Sequence, residues 1–471
     1  MRRYSGWARG AVVAIAAASL TALACVDPKE ALLSAPDPDI IQPGDVQSPE
    51  GAEALRLGAI SRLRTETAGG ESAWLYGGLL VDEWKSSDTF LERNAIDNRA
   101  SQDNNGQVIL ALRDIYRARS AARDALVLLT QYKPNPPANI GQMYLVMALS
   151  ETFLAENFCN GTPISEVVAG VPVYGPPLTN AAVFNLALAH LDSAIALTTA
   201  TDAATVAIRN SVQVARGRVL VNLGRFADAA TAVASVPTSF RFDVTFSLTG
   251  GNNQIWALNT SALRYTVGDS FDVSGIIKNA LPFASAKDPR LPVDGSSTGT
   301  SSLGTGFDGS TNFIRQRLFG RVDPTPVLSG LDARLIEAEA KLNTNDIPGM
   351  MTILNALRTA PPTIANFSGT GGTPGTSVPV TPAGLATLPT PATKDAAVTL
   401  FFREKAFWTF GRGQRLSDLR RQVRQYGRTD DQVFPVGTFF KGGSYGVDVT
   451  LPIHPDEQNN TAFTACLDHK A

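Results

Sequence analysis

Side chains that could catalyse a reaction are few in this chain, and their spacing does not fit a known catalytic arrangement. The three histidines, His190, His454 and His469, are too far apart to form a recognisable set of metal ligands. Residues 442–446 read GGSYG, which fits the G-x-S-x-G pattern of esterases, but a β-like run follows where a nucleophile elbow requires a helix. We therefore predict that the protein is not an enzyme and that it has no metal site and no cofactor.

Side chains that bind flat polar ligands are better represented. Sugars stack their apolar faces on aromatic rings while polar side chains bind their hydroxyls. Residues 74–99 mix aromatic and polar types too closely for a simple core helix, and a second such group lies in the irregular central region. The candidate ligand-binding residues are Trp74, Tyr76, Trp84, Phe90, Arg93, Trp256 and Tyr265. Core packing is the competing explanation for each aromatic residue. If the set binds a ligand, Trp84→Ala and Trp256→Ala should weaken binding without unfolding the chain.

The N-terminus has the pattern of a bacterial lipoprotein signal. Two arginines precede an apolar stretch at 11–24, which is too short to span a bilayer as a stable helix. The small-x-small sequence at 22–24 is followed directly by Cys25, the position where a lipoprotein carries diacylglycerol. We predict a signal peptide over 1–24, lipidation of Cys25 and a proline-rich tether over 25–50. An ordinary secretory signal with a chance cysteine is the alternative.

The cysteine count predicts one disulfide. The chain contains three cysteines, Cys25, Cys159 and Cys466. If Cys25 carries lipid, an even pair remains in an oxidising compartment. We predict a Cys159–Cys466 disulfide that fixes the C-terminal tail, with two buried free thiols as the alternative.

Composition excludes some function classes. The chain is 44% hydrophobic and 18% charged, as is ordinary for a globular protein, and its formal net charge is −2. Basic and acidic residues are interspersed, which argues against nucleic acid as a partner. Apart from the N-terminal stretch, no uninterrupted apolar run approaches 18 residues, so we predict no transmembrane helix.

The rest of the chain predicts a mainly α fold with long irregular loops and a few short β-strands. Helical patterns occur at 52–64, 107–132, 140–158, 180–197, 204–223, 226–236, 331–342 and 346–358. Residues 216–230 resemble half of a tetratricopeptide unit, in which Leu-Gly closes one helix and alanines let the next pack closely. We predict a single domain over 51–471, a TPR-like scaffold of helical pairs with loop-rich insertions at 238–325 and 359–394, the latter exposed and mobile.

Residues 400–421, LFFREKAFWTFGRGQRLSDLRR, are the most specific segment. An aromatic stripe predicts a helix that ends near Gly411 and Gly413, followed by a dense charged cluster. Taken alone, these features indicate a core helix and a local ion pair. Their order resembles the C-terminal signature of SusD/RagB-like outer-membrane nutrient-binding lipoproteins. Arg412 and Trp408 stand where acids are usual in that signature, so the resemblance implies a rebuilt ion-pair network. Weaker matches follow in the expected order at 82–83, 157–167, 287–291 and 451–455.

The resemblance implies a function without chemistry. Such a lipoprotein faces the cell exterior from a bacterial outer membrane, captures a glycan or peptide, and delivers it to a SusC-like TonB-dependent β-barrel transporter. It also implies that the segment after Asp82-Glu83 and the central irregular region lie near the ligand face. A TPR-like envelope scaffold or assembly protein that binds another protein is the alternative function.

Overall fold

The computed structural model describes residues 46–168, 171–272 and 274–471. The predicted signal peptide, the predicted lipidation site Cys25 and most of the predicted tether lie outside the described residues. Their assignment, and the single domain predicted over 51–471, stay predictions.

Helices dominate the described chain. In chain order they are α1 (Pro49–Arg64), α2 (Ala73–Leu80), α3 (Leu91–Asp97), α4 (Val108–Tyr132), α5 (Pro137–Asn157), α6 (Asn180–Leu197), α7 (Ala203–Asn222), α8 (Phe226–Val233), α9 (Gln254–Trp256), α10 (Gly330–Asn343), α11 (Ile347–Thr359), α12 (Lys394–Trp408), α13 (Arg415–Tyr426) and α14 (Asp430–Val433). Short π-helical turns follow α1 at Thr65–Gly69 and α9 at Ala257–Ser261, and a 3-10 turn lies at Pro455–Asn459. The bounds of the eight predicted helices agree with these within three residues at each end.

Successive helices pack as pairs. Close neighbours are α4 with α5, α5 with α6, α6 with α7, α7 with α8, and α10 with α11, and α8 also packs against α10. Side-chain caps fix where helices begin: Thr179 accepts from the backbone of α6, and Asp202 accepts from that of α7. Small residues allow the close approach, because a Cβ on Gly217 of α7 would lie 2.5 Å from Val233 of α8. The predicted TPR-like helical-pair scaffold is confirmed.

Strands in the described residues are short and pair only in twos, always antiparallel. The pairs are β1 (Trp84–Ser86) with β7 (Tyr265–Val267), β2 (Thr162–Pro163) with β5 (Pro177–Leu178), β3 (Glu166–Val168) with β4 (Val171–Val173), β6 (Arg241–Val244) with β12 (Thr325–Ser329), β8 (Phe271–Asp272) with β9 (Gly275–Ile276), β10 (Val293–Asp294) with β11 (Arg315–Gln316), and β13 (Ala365–Phe367) with β14 (Val378–Val380). The insertion predicted at 359–394 contains the β13–β14 hairpin. It is largely exposed, but Ile364 and Ala365 are buried, so part of it packs on the fold.

Helix α6 is long and apolar and packs between two other helices. Its 18 residues, with a mean hydropathy of 1.3, make it the one described helix long and apolar enough by length and composition to cross a membrane. His190 and Asp192 interrupt its sequence, so it contains no uninterrupted apolar run of 18 residues. In the structure, Phe184 and Leu191 are buried as α6 packs against α5 and α7.

The signature at 400–421 forms a largely buried corner between α12 and α13, in which most charged side chains pair with an opposite charge. Arg415 binds Asp82 through two hydrogen bonds, Nε to Oδ1 at 2.8 Å and Nη2 to Oδ2 at 2.9 Å. Asp418 accepts from Lys405 Nζ at 2.6 Å and from Arg421 Nη2 at 2.7 Å. Burial alone would raise the pKa of Asp418, but Lys405 and Arg421 hold it below its ordinary value. The corner therefore joins α12 and α13 to the turn before β1.

Both residues that depart from the signature have partners in the structure. Arg412 donates to Asp332 at 2.6 Å, and Asp332 also completes the capping box that Ser329 forms at the start of α10. Trp408 lies beneath the Arg290 guanidinium, whose carbon is 4.9 Å from the ring centroid. That these contacts rebuild an ion-pair network of the family stays a prediction.

The C-terminal tail is held at the end of α5. The structure places Cys159 and Cys466 in a disulfide, with Cα atoms 6.0 Å apart at a sequence separation of 307. Arg420 is fully buried beside it and donates to the carbonyl oxygens of Ala155 at 3.0 Å and Glu156 at 2.7 Å. These carbonyls belong to the last turn of α5, where a cation interacts favourably with the helix dipole.

We predict that Arg415→Gln lowers the free energy of unfolding by about 3–5 kcal/mol, because Asp82 would remain buried without its cation. The measurement is guanidinium unfolding followed by far-UV circular dichroism.

The matched control is Arg113→Gln. Arg113 also pairs with an acid distant in sequence, Asp456 at 2.6 Å, but both side chains are about half exposed. Its loss should cost no more than about 1 kcal/mol. Equal losses in the two variants would show that the buried pair has no special structural role.

Candidate functional site

The candidate site is built on the β1–β7 ladder. This ladder joins residues 74–99 to the irregular central region, the two segments in which the sequence predicts ligand-binding residues. Lys85 pairs with Thr266, and both side chains line a cavity. The preceding residue on β1, Trp84, points to the opposite face and packs on Phe410 with ring centroids 4.8 Å apart. Gly268 permits the close approach after β7, because a Cβ there would lie 2.0 Å from the Asp82 carbonyl oxygen.

The cavity has a volume of about 450 Å³. We call it the Phe271 cavity, after the half-exposed aromatic residue that lines it. Its lining residues are Lys85, Asp88, Thr89, Asn94, Thr266, Val267, Asp269, Phe271, Asp272, Ser297, Asp308, Ser310, Thr311, Asn312, Ile314, Phe440 and Lys441. They come from α3, β1, β7, β8 and loops of the central and C-terminal regions, so only the folded chain assembles them.

Aromatic and polar groups lie side by side in this cavity. The Phe271 side chain remains 39% exposed, and its neighbour Asp272 accepts from Lys85 Nζ at 3.0 Å. Lys85 Nζ also lies 4.2 Å from the centroid of the Phe440 ring. A ring beside both a donor and an acceptor is the arrangement that binds a sugar, because pyranose rings present an apolar face and a rim of hydroxyls.

Two aspartates of the lining are held ionised. Burial alone would raise the pKa of Asp88, but hydrogen bonds from Arg264 and Arg93 hold it below its ordinary value. Burial likewise opposes ionisation of Asp308, but hydrogen bonds from Lys441 and Thr311 lower its pKa to about 2. Both carboxylates therefore act as fixed acceptors at neutral pH.

An aromatic rim adjoins the cavity. The Arg264 guanidinium carbon lies 4.9 Å from the Phe90 ring centroid and 4.0 Å from that of Phe307. Phe90 is 44% exposed and Phe307 is 50% exposed. Asp88 joins this rim to the cavity because it lines the cavity and also accepts from Arg264 Nη1 at 2.6 Å. The rim extends the apolar surface that a ligand longer than one sugar can contact.

Four of the predicted ligand-binding aromatics lie in the interior. Trp74, Tyr76, Trp84 and Tyr265 are each at most 1% exposed, so none presents a ring face to solvent in this structure. Trp74 packs against the signature turn so closely that a Cβ on Gly413 would lie 2.2 Å from its Cδ1. The expectation that Trp84→Ala leaves the fold intact is withdrawn, because removing a buried indole leaves a cavity.

The other three predicted residues lie nearer the surface. Phe90 forms the aromatic rim described above. Arg93 is buried, donates from Nε to Glu71 Oε1 at 2.5 Å and also pairs with Asp88, so it supports the rim. Trp256 is half-buried, and its Nε1 donates to the Thr370 carbonyl at 2.7 Å. Trp256 is not part of the lining and instead anchors the 359–394 insertion.

Several residues of the cavity were missed by the sequence analysis. Phe271 and Asp272 belong to a two-residue strand, and Phe440 and Lys441 lie in a C-terminal turn, so neither pair has a periodic pattern. The G-x-S-x-G sequence that follows at 442–446 forms part of this turn, and Ser444 pairs back to Thr438. No helix follows Ser444 directly in the described residues, as a nucleophile elbow would require.

The fold matches solved structures over most of the chain. A SusD-like protein from Bacteroides fragilis has a TM-score of 0.63 at 13% identity, over 92% of this chain and 100% of that chain. Surface glycan-binding protein A from Bacteroides uniformis has a TM-score of 0.61 at 15% identity, over 88% and 99%. The chain has the SusD-like fold. The resemblance predicted from residues 400–421 is confirmed at this level.

Comparisons of sequence do not extend the SusD-like assignment. No family model matches this chain. No curated protein matches it either. The likeness to SusD-like proteins therefore lies in the fold, and the function of the Phe271 cavity must be argued from its own residues.

A buried acid behind β1 gives a pH-dependent prediction. Glu83 is fully buried and accepts from the Gly411 backbone N–H at 3.1 Å, and burial raises its pKa from 4.5 to about 8. Between these two pH values the folded state keeps a proton that the unfolded chain has lost, so this residue makes the free energy of unfolding fall as pH rises. Glu83→Gln should remove that fall. The free energy of unfolding of Glu83→Gln, minus that of wild type, should therefore increase between pH 4.5 and about 8, by at most about 1.4 kcal/mol per pH unit.

The measurement is urea unfolding of wild type and variant across this pH range, with the exposed Glu92→Gln as the control for the same change of side chain. Parallel curves for wild type and Glu83→Gln would contradict the assignment of a protonated Glu83.

Proposed function

We propose that this chain captures an oligosaccharide in the Phe271 cavity. One observation carries the proposal: the partly exposed Phe271 and the Lys85–Asp272 ion pair line the same cavity of about 450 Å³. Stacking supplies contact area with little loss of side-chain freedom, and the paired charges offer both acceptors and donors to hydroxyls.

Similar structures support this class of ligand. One protein from Bacteroides fragilis with a TM-score of 0.60 and 14% identity is described as a SusD-like carbohydrate binding protein. The Bacteroides uniformis protein is described as surface glycan-binding. These descriptions concern those proteins. For this chain, the argument for a glycan ligand is the aromatic and polar lining of the cavity.

We further propose that the protein acts at the outer membrane, facing the cell exterior, and delivers its ligand to a transporter there. The N-terminal sequence supports a lipid on Cys25, an outer-membrane anchor and a position facing the cell exterior. From there the protein would concentrate ligand, glycan or glycopeptide, above a SusC-like TonB-dependent transporter and release it unchanged. No enzymatic step enters this proposal, because the residues of the cavity bind hydroxyls and do not form a recognised nucleophile–base pair among the described residues.

We predict that Phe271→Ala weakens oligosaccharide binding about tenfold, because it removes the exposed ring and leaves the buried core unchanged. Binding is measured by affinity electrophoresis in polysaccharide-containing gels and then by calorimetry.

Tyr174→Ala is the matched control, since Tyr174 is also an aromatic residue beside a short hairpin strand and is 50% exposed, but does not line the cavity. The thermal midpoints of both variants should equal that of wild type. Equal affinity of Phe271→Ala and wild type would remove Phe271 from the binding site.

We predict that the native protein, extracted from outer membranes in mild detergent, co-purifies with a TonB-dependent barrel in near-stoichiometric amount. Partners are identified by mass spectrometry, and Cys25→Ala, which removes the lipid anchor, is the control for membrane attachment. Recovery of another envelope protein in place of a barrel would favour the scaffold function.

A further inference from the structure

We propose that the Phe271 cavity selects neutral oligosaccharides over those that carry carboxylate or sulfate groups. This inference rests on the proposed function and adds the charge class of its ligand. It follows from the hydrogen bonds and ion pairs that the cations of the cavity already make within the protein, and from the formal charge of the lining residues.

The first cation is fully used by the protein. An ammonium group has three N–H donors, and those of Lys441 have three acceptors: Asp308 Oδ2 at 2.8 Å, the Asp88 carbonyl at 2.6 Å and Asn94 Oδ1 at 2.9 Å. An anionic sugar would have to displace one of these contacts. Lys441 therefore holds the 438–444 turn against α3 and against the loops that contain Asp88 and Asp308, and does not serve as an anion receptor.

The second cation is neutralised but keeps donor capacity. Lys85 pairs with Asp272 at 3.0 Å, and its ammonium lies over the Phe440 ring. It retains N–H donors for a hydroxyl oxygen, while Asp272 Oδ1 accepts only from the Ser274 backbone N–H at 2.7 Å among the described residues. A hydroxyl, which both donates and accepts, fits this pair, whereas a carboxylate competes with Asp272 for the same cation.

The lining as a whole is acidic. It contains two lysines and four aspartates, Asp88, Asp269, Asp272 and Asp308, so its formal charge is −2. Arg93 and Arg264 reach Asp88 from beside the cavity, but Arg93 also pairs with Glu71, so the lining and these three neighbours together keep a formal charge of −1. An anion entering the cavity would meet no surplus cation among the described residues and would approach several carboxylates, and this repulsion is only partly screened inside a protein.

The test uses polysaccharide pairs that share a backbone and differ in charge. Affinity electrophoresis with the mature chain first screens neutral hexose polymers together with polygalacturonate, alginate and the carboxyl-reduced forms of these two acids. The neutral polymer that retards the protein is then oxidised at its primary hydroxyls to the 6-carboxylate. Binding of the acid form should be at least about tenfold weaker than that of the neutral form.

A charge variant identifies the residues responsible. In Asp272→Asn the Lys85 ammonium loses its counter-ion and becomes a surplus cation, so the preference for the neutral over the acid form should shrink severalfold. Asp192→Asn is the matched control. Asp192 is exposed on α6, so this substitution removes the same charge outside the cavity. It should leave the preference unchanged.

Each outcome is decisive. Tighter binding of a uronate polymer than of its carboxyl-reduced form would overturn the charge selection and leave the proposed glycan capture intact. An unchanged preference in Asp272→Asn would likewise remove the cavity's charge pairs as its cause. Failure of every polymer to bind, in either form, would overturn the proposed function and this inference with it.

Discussion

Arg415 and Asp82 form a two-hydrogen-bond ion pair in the interior, and three parts of the chain meet there. Arg415 begins α13, Asp82 precedes β1, and the Leu281 backbone N–H donates to the same carboxylate at 2.7 Å. Charges taken out of water are tolerated only when their partners and remaining hydrogen bonds are in place. The pair therefore fixes the signature helices, the β1–β7 ladder and the central loops relative to one another.

The position of the proposed binding site depends on this arrangement. On β1, Trp84 packs its indole into the core, and the next residue, Lys85, points into the cavity. Lys441 holds the C-terminal turn by three hydrogen bonds, and Arg264 lies between two rings. A site whose polar groups are already held loses little entropy when a ligand binds. Among the described residues, none of the paired helices α4 to α8, α10 and α11 lines the Phe271 cavity; these helices form the frame that supports the loops around it.

Much of the frame could be predicted from the sequence because helical periodicity is local. The long helices, the TPR-like pairing after Leu223-Gly224 and the corner around Arg415 all have patterns within some twenty residues. The site could be placed only regionally. A three-residue strand such as β1 is too short to show from its sequence whether Trp84 or Lys85 points into the core. Residue type alone therefore favours Trp84 as the ligand contact, because it is the larger aromatic side chain.

The remaining site residues depend on contacts distant in sequence. Phe271 and Asp272 meet Lys85 only through the β1–β7 pairing, and Phe440 arrives from a turn more than 160 residues later in the chain. Nothing in their local sequence distinguishes them from other loop residues.

A crystal structure of the protein with a bound oligosaccharide would show directly whether a sugar occupies the Phe271 cavity. We expect a pyranose ring stacked on Phe271 within about 4 Å, with hydroxyls in hydrogen-bonding distance of Asp272 and Lys85. A sugar bound on another face of the molecule, with this cavity filled only by water, would contradict this expectation.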